Sequence, residues 1–241
     1  MTATRVNIRD DPRLTPTESG QVKNLVERSY DKVAQEYLAW SAPRPTTTRA
    51  SYIDHLVSIL PAGASVLELG CGAGVPSTQT LLSHGLQVTG VDISASQIAL
   101  AREHIPQAQL IQSDMMSLSF PESSYDAIVG FYSIFHLPKE EQGIMISRAT
   151  EWLKPGGWLL CNFHTADGDI VRENWFKPGV SIFSSGLGVE GNREMLRKDG
   201  KGLKIVKDEV AVEKVGKFEE TFHWILAVRE NVETVRVSDL V

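Results

Sequence analysis

Near the start of the chain, apolar positions recur every three or four residues. Val22, Val26, Tyr30, Val33 and Tyr37 fall on one face of a 3.6-residue repeat, so the spacing predicts a helix from Thr17 onward. Pro43 and Pro45 interrupt the pattern. A second helix is expected over residues 47–60, closed by Pro61-Ala62-Gly63. Residues 1–16 carry Pro12 and Pro16 without any period and read as a loose arm. From Ser65 the pattern changes: short apolar runs at 65–69, 87–91, 109–112, 126–131 and 158–163 read as strands, with helical stretches between most of them. Ser94 with Gln97 forms a capping box for a helix ending near His104. Pro138 followed by Glu140 and Glu141 opens another that ends near Leu153. Pro155-Gly156-Gly157 marks a turn into the next strand. Such β-α-β alternation predicts a parallel sheet covered on both faces.

After Phe163 the period is lost. Residues 164–191 are rich in glycine, serine and aromatics, and such a stretch inside a compact domain is expected to be a lid or acceptor-binding loop. Two alternating runs, 203–214 and 219–229, predict a closing antiparallel pair joined through Val215-Gly216-Lys217. The chain therefore divides into an N-terminal arm with covering helices (1–60), one α/β domain (61–230) and a C-terminal tail (231–241), a plan that suits 241 residues.

Composition narrows the partners. With 42% hydrophobic and 22% charged residues the chain has the make-up of a soluble globular protein. Its formal net charge is −6, and the densest basic stretch, 198–207, is interrupted by Asp199 and glycines. A nucleic-acid binder draws most of its affinity from a basic face, so no nucleic-acid partner is expected. Cys71 and Cys161 lie far apart in apolar contexts, which offers neither a disulfide framework nor a zinc knuckle. A reducing, cytoplasmic setting is the expectation. The polar, mixed-charge first residues are not a secretory signal, and no apolar run approaches the ~18–20 residues that span a bilayer, so no membrane partner is expected. A monomer or a homodimer is anticipated.

The strongest local signal is Val66-Leu67-Glu68-Leu69-Gly70-Cys71-Gly72-Ala73-Gly74, where a strand runs into a glycine-rich turn and then a helix. Glycines let the backbone approach a ligand closely and leave amide groups pointing at it. Asp92 closes the second strand, where a carboxylate can accept hydrogen bonds from ribose hydroxyls. Together these features predict a nucleoside-containing cofactor. The loop reads GxGxG, with Val75 where the dinucleotide fingerprint GxGxxG has its third glycine.

This loop, with Glu68 before it, resembles motif I of the class I S-adenosylmethionine-dependent methyltransferases. The resemblance continues in order through Tyr30-Asp31-Lys32-Val33-Ala34-Gln35-Glu36-Tyr37, Val91-Asp92-Ile93-Ser94, Ser113-Asp114-Met115, residues 120–129 and Leu153-Lys154-Pro155-Gly156-Gly157. It implies a Rossmann-like, doubly wound, seven-stranded sheet, mostly parallel with an antiparallel last strand. It also implies S-adenosyl-L-methionine as cofactor, S-adenosyl-L-homocysteine as product, no metal, and a small-molecule acceptor. On this likeness Glu68, Gly70, Cys71 and Gly72 would surround the methionine portion. Asp92 would hold the ribose, with Ile93 on the adenine and Gln97 on the adjoining helix. Asp114 would accept from the adenine amino group beside the Met115 amide, Phe131 would flank the cofactor, and Tyr30 and Tyr37 would close over the sulfonium.

Ligands of doubly wound sheets sit at the carboxyl ends of the strands, which makes Tyr132 and His136, after the fourth core strand, candidates to face the acceptor as catalytic residues, with His136 as an anchor of the helix starting at Pro138 as the alternative. His164, Trp175 and Phe183 are candidates for an apolar acceptor wall, with packing beneath a long loop as the alternative. Two other functions stay open at this point: a nicotinamide-dependent oxidoreductase on a related fold, and a non-catalytic or repurposed S-adenosylmethionine-binding protein.

Overall fold

The computed structural model describes residues 5–7, 19–42, 47–215 and 218–231. A short strand β1 (Arg5–Asn7) precedes two helices, α1 (Ser19–Ser41) and α2 (Thr47–Ile59). Val22, Val26 and Val33 of the predicted stripe are buried, and α1 is kinked at Val33. The alternating core follows as β2 (Ser65–Leu69), α3 (Ser77–Ser83), β3 (Gln87–Asp92), α4 (Ala95–His104), β4 (Gln109–Gln112), β5 (Tyr125–Gly130), α5 (Lys139–Trp152) and β6 (Leu153–His164). The chain then forms β7 (Asp167–Arg172), β8 (Ile182–Leu187), α6 (Gly188–Asp199), β9 (Leu203–Val215) and β10 (Phe218–Arg229).

Seven strands make one sheet in the order β4-β3-β2-β5-β6-β10-β9. The first five are parallel, and β10 inserts antiparallel between β6 and β9. This is the doubly wound sheet the sequence implied, with its last strand antiparallel. Central strands β2 and β5 are buried on both faces. Leu67, Leu69 and Ile128 pack towards Met145, Ile146 and Trp152 of α5 and Met195 and Leu196 of α6, whereas Val66, Ala127 and Val129 pack towards Tyr52, Ile53 and Leu56 of α2 and Leu81 of α3. Each buried Val, Leu, Ile or Met among them contributes about 1.5–3 kcal/mol relative to exposure. The Pro155-Gly156-Gly157 turn survives as an irregularity inside a longer β6: Tyr125 pairs with Leu153 but Ala127 pairs with Trp158.

One prediction fails. The stretch 164–191 is not an irregular loop: β7 and β8 form an antiparallel pair, and β1 joins β7 to complete a second, three-stranded sheet. Only 165–166 and 173–181 are connections, and α6 begins by Gly188. The strands escaped notice because their apolar content is a few residues, Ile170, Val171, Ile182 and Phe183, set among glycines and serines. Gly186 is there because a Cβ at that position would fall 2.2 Å from the Ala166 carbonyl oxygen. Glycines at 188 and 191 likewise mask α6, since glycine is a poor helix former. This small sheet packs under α1, where Val171, Ile182 and Phe183 meet Val22 and Val26. The expected loose arm contains β1; its remainder, the breaks at 43–46, the closing turn at 216–217 and the tail from 232 lie outside the described residues.

Candidate functional site

At the carboxyl ends of β2, β3, β4 and β5 lies a partly open cavity, bordered on one side by Lys23, Val26, Tyr30 and Tyr37 of α1. The glycine loop forms its floor. Gly70 has φ +78, Gly72 +55 and Gly74 +77, a region that L side chains avoid. The Gly70 and Cys71 amides both donate to the Val91 carbonyl, at 2.8 and 2.9 Å, and this locks the loop to the end of β3. From the other side Ser133 donates its hydroxyl to the Leu69 carbonyl at 2.5 Å.

Asp92 stands where these strand tips meet. Its carboxylate accepts the Gly72 amide at 2.8 Å and the Ser94 amide at 2.9 Å. Its enclosure away from water pushes its pKa up to about 6, against the opposing pull of those two bonds. Ser94 caps α4 by accepting the Gln97 amide, but the predicted capping box is only half formed, because the Gln97 side chain does not reach back and the Ser94 amide goes to Asp92. The Ser94 hydroxyl donates to Asp31 on α1 at 2.6 Å. The Ser96 amide also donates to Asp31, at 3.0 Å, so α1 is pinned to the start of α4. At the far end of the cavity Asp114 accepts the Met116 amide at 2.9 Å and pairs with Lys23 of α1 at 2.7 Å.

The opposite end is aromatic. The Tyr30 hydroxyl lies 3.0 Å from His136 Nε2, and His136 Nδ1 lies 2.5 Å from the Phe183 carbonyl. A carbonyl only accepts, so Nδ1 carries the proton and Nε2 accepts from Tyr30. Burial lowers the His136 pKa to about 4, and the imidazole is neutral near pH 7. Tyr132 has φ +54; its amide donates to Asn162 at 2.7 Å and its hydroxyl to the buried Glu213 at 2.6 Å. The Arg49 guanidinium of α2 sits 5.4 Å from the centre of the Tyr132 ring.

Of the residues singled out from sequence, the structure brings Gly70, Gly72, Asp92 and Ile93 to the cavity wall, together with Asp114 and Met115. Phe131, Tyr132 and His136 line it from the β5 side, and Tyr30 and Tyr37 from α1. The others stand back from it. Glu68 is buried beneath the loop, where it accepts the Thr78 hydroxyl at 2.6 Å, and burial raises its pKa to about 7. Cys71 packs against Gly90, where a Cβ would fall 2.9 Å from its sulfur. Gln97 is fully buried near Gly72, and neither of its amide atoms has a hydrogen-bond partner within the protein. The expected acceptor wall does not form as drawn. Phe183 is buried beneath α1, Trp175 stacks edge-on against Tyr30, and His164 lies against Phe135 and Phe222. Sequence reading passed over Lys23, Asp31, Arg49 and Ser133, whose partners are remote along the chain and leave no local pattern.

The arrangement fits an adenosyl cofactor on its own terms. A buried amide at Gln97 without a partner normally costs about 1–3 kcal/mol unless a ligand or water meets it. Gly70 and Gly72, both at the cavity wall in left-handed conformations, present bare backbone to it.

Residues 66–157 match the methyltransferase domain family. The chain is 28% identical over 202 residues to 27-O-demethylrifamycin SV methyltransferase of Amycolatopsis mediterranei, covering 78% of this chain and 68% of that protein. It is 34% identical over 124 residues to 2-methyl-6-phytyl-1,4-hydroquinone methyltransferase of Synechocystis sp.; there the match covers 49% of this chain and only 38% of the relative. Among solved structures, the fold is similar to Burkholderia thailandensis 1,6-didemethyltoxoflavin-N1-methyltransferase with bound 1,6-didemethyltoxoflavin and S-adenosylhomocysteine. That likeness has a TM-score of 0.70 at 18% identity, over 95% of this chain and 96% of that one.

Proposed function

The chain belongs to the class I S-adenosylmethionine-dependent methyltransferases, and from that premise we propose that it moves the methyl group of S-adenosylmethionine to a small-molecule acceptor by direct displacement. The observation that carries this reading is the meeting of the glycine loop, Asp92 and Asp114 around one cavity at adjoining strand ends. When bound, S-adenosylmethionine supplies a methyl group already activated on a positively charged sulfur. The protein's share is then alignment and exclusion of water, for which neither a metal nor a covalent nucleophile is required. Among the described residues no helix is long and apolar enough to cross a membrane.

In this reading Asp92 accepts from the ribose hydroxyls and Asp114 from the adenine amino group. Gly70 and Gly72 let the backbone close on the methionine portion. Arg49, 5.4 Å from the centre of the cavity-lining Tyr132 ring, is the candidate to hold an anionic carboxylate of the methionine end. Tyr30 and Tyr37 cover the sulfur end. His136 acts through Tyr30: with Nδ1 bonded to a carbonyl and Nε2 engaged by the tyrosine, it fixes where that hydroxyl points.

Calorimetry with S-adenosylmethionine, S-adenosylhomocysteine and NADH tests the assignment. Binding of the first two without NADH binding is expected, followed by transfer of labelled methyl to a metabolite extract. NADH binding alone would favour the nicotinamide-dependent oxidoreductase instead, and cofactor binding without any transfer would favour a repurposed protein.

A second expectation concerns pH. Glu68 and Asp92 hold protons to about pH 7 and 6 in the free protein, chiefly because burial disfavours their charge. A cation bound beside them favours the ionised forms, so the complex carries fewer protons than the free protein. Affinity for S-adenosylmethionine should therefore rise with pH, by at least about tenfold between pH 5 and 7, and level off above about pH 8, where both carboxyls are ionised in the free protein. Titration in two buffers of different ionisation enthalpy at pH 6 should register proton release; proton uptake would contradict the sign.

A further inference from the structure

We propose that Lys23 is the positioning residue for adenine recognition: it fixes the Asp114 carboxylate at the inner end of the cavity so that an exocyclic amino group is accepted there and a carbonyl is refused. This rests on the methyltransferase reading and names a residue that reading does not include. Lys23 Nζ lies 2.7 Å from Asp114 Oδ2 and 3.2 Å from Glu141 Oε2. The three side chains are only 17%, 21% and 18% exposed, and Lys23 and Asp114 both line the cavity. An exposed pair such as Arg197–Glu194, at 74% and 72% exposure, carries little weight because water screens it. Lys23 is in a different setting. Burial works to lower its pKa, yet the bonds and charge of Asp114 and then Glu141 outweigh that and raise it.

The geometry explains what the ammonium does. One carboxylate oxygen of Asp114 is tied to the Met116 amide and the other to Lys23, so the plane of the group is held at both ends. Each oxygen retains a lone pair for a ligand. Such a group accepts from an amino hydrogen and repels a carbonyl oxygen, which is the difference between adenine and hypoxanthine. Glu141, in the first turn of α5, grips the ammonium from the other side and fixes Lys23 where α1 crosses the turn after β4. With Lys23 removed, Asp114 keeps a single tether and is free to turn.

The test measures dissociation constants by calorimetry for S-adenosylhomocysteine and for S-inosylhomocysteine, which has a carbonyl in place of the amino group. Wild-type protein is expected to prefer the adenosyl compound by about a hundredfold. K23M should reduce that preference at least about tenfold, mainly through weaker S-adenosylhomocysteine binding, and K23R should restore most of it. A K23M protein that binds both compounds more weakly but keeps the full preference would reduce Lys23 to a structural strut and overturn the proposal. So would a wild-type protein indifferent to the two compounds. If K23M does not fold, K23Q carries the same comparison. Wild-type protein that binds neither compound would instead sink the methyltransferase reading itself.

Discussion

Asp92→Ala should weaken S-adenosylhomocysteine binding by roughly a hundredfold while the protein remains folded. The carboxylate does two jobs at once. It offers charge-assisted acceptors to the cavity, worth about 1.5–3 kcal/mol each, and it accepts the Gly72 and Ser94 amides that set the floor of that cavity. Alanine removes the acceptors and leaves two amides unpaired beside the ligand. Stability should change far less, because burial already makes the Asp92 charge costly in the free protein and its removal relieves that cost. Asp92→Asn keeps one carbonyl acceptor and should fall between the two. Calorimetry alongside thermal melting separates affinity from folding, and a folded alanine variant with wild-type affinity would remove Asp92 from the site.

The parts of this molecule that were readable in one dimension are those whose partners are near in sequence or whose burial is two-sided. The apolar runs of β2 and β5 are buried on both faces and therefore read as unbroken Val, Leu and Ile. The capping of α4 by Ser94 is local and was legible for that reason. The glycine loop and Asp92 were legible as a pair because strand, turn, helix and acid keep a fixed order. By contrast β7 and β8 present only a few apolar side chains to the underside of α1, and their glycines answer to a close backbone approach at Ala166 that no sequence pattern announces. Phe183 looked like an acceptor wall for the same reason: an aromatic residue in an apparently formless stretch carries no mark of which element will cover it. Lys23, Asp31 and Arg49 sit on amphipathic helices where a charge ordinarily means solvent. Only the folding of α1 and α2 over the strand ends turns them inward.

Gly70→Ala should cost about 2–5 kcal/mol of stability, lowering the melting temperature by roughly 5–15 °C, and should abolish measurable cofactor binding. Two terms add. A residue with a Cβ is strained at φ +78, by about 1–2 kcal/mol. The new methyl group would also lie 2.3 Å from Ser133 Cβ, an atom fixed to the backbone that cannot swing aside, and overpacking of this kind costs about 1–3 kcal/mol. Gly74 makes the informative contrast. Its φ is +77, and an added Cβ would again meet an atom at 2.3 Å, but here the opposing atoms are Cδ1 of Ile105 and, at 2.6 Å, its Cγ1, which turn about side-chain bonds as the Ser133 Cβ cannot. Gly74→Ala should therefore carry the backbone strain with a smaller steric part. A double-mutant cycle isolates the clash: Ser133→Gly removes the opposing Cβ, so Gly70→Ala should cost less in that background than in the wild type. The strain at φ +78 should persist there, along with the lost hydroxyl bond to the Leu69 carbonyl. Equal costs in both backgrounds would mean that the loop moves away from Ser133, and that the close approach of strand ends which shapes this cavity is not rigid.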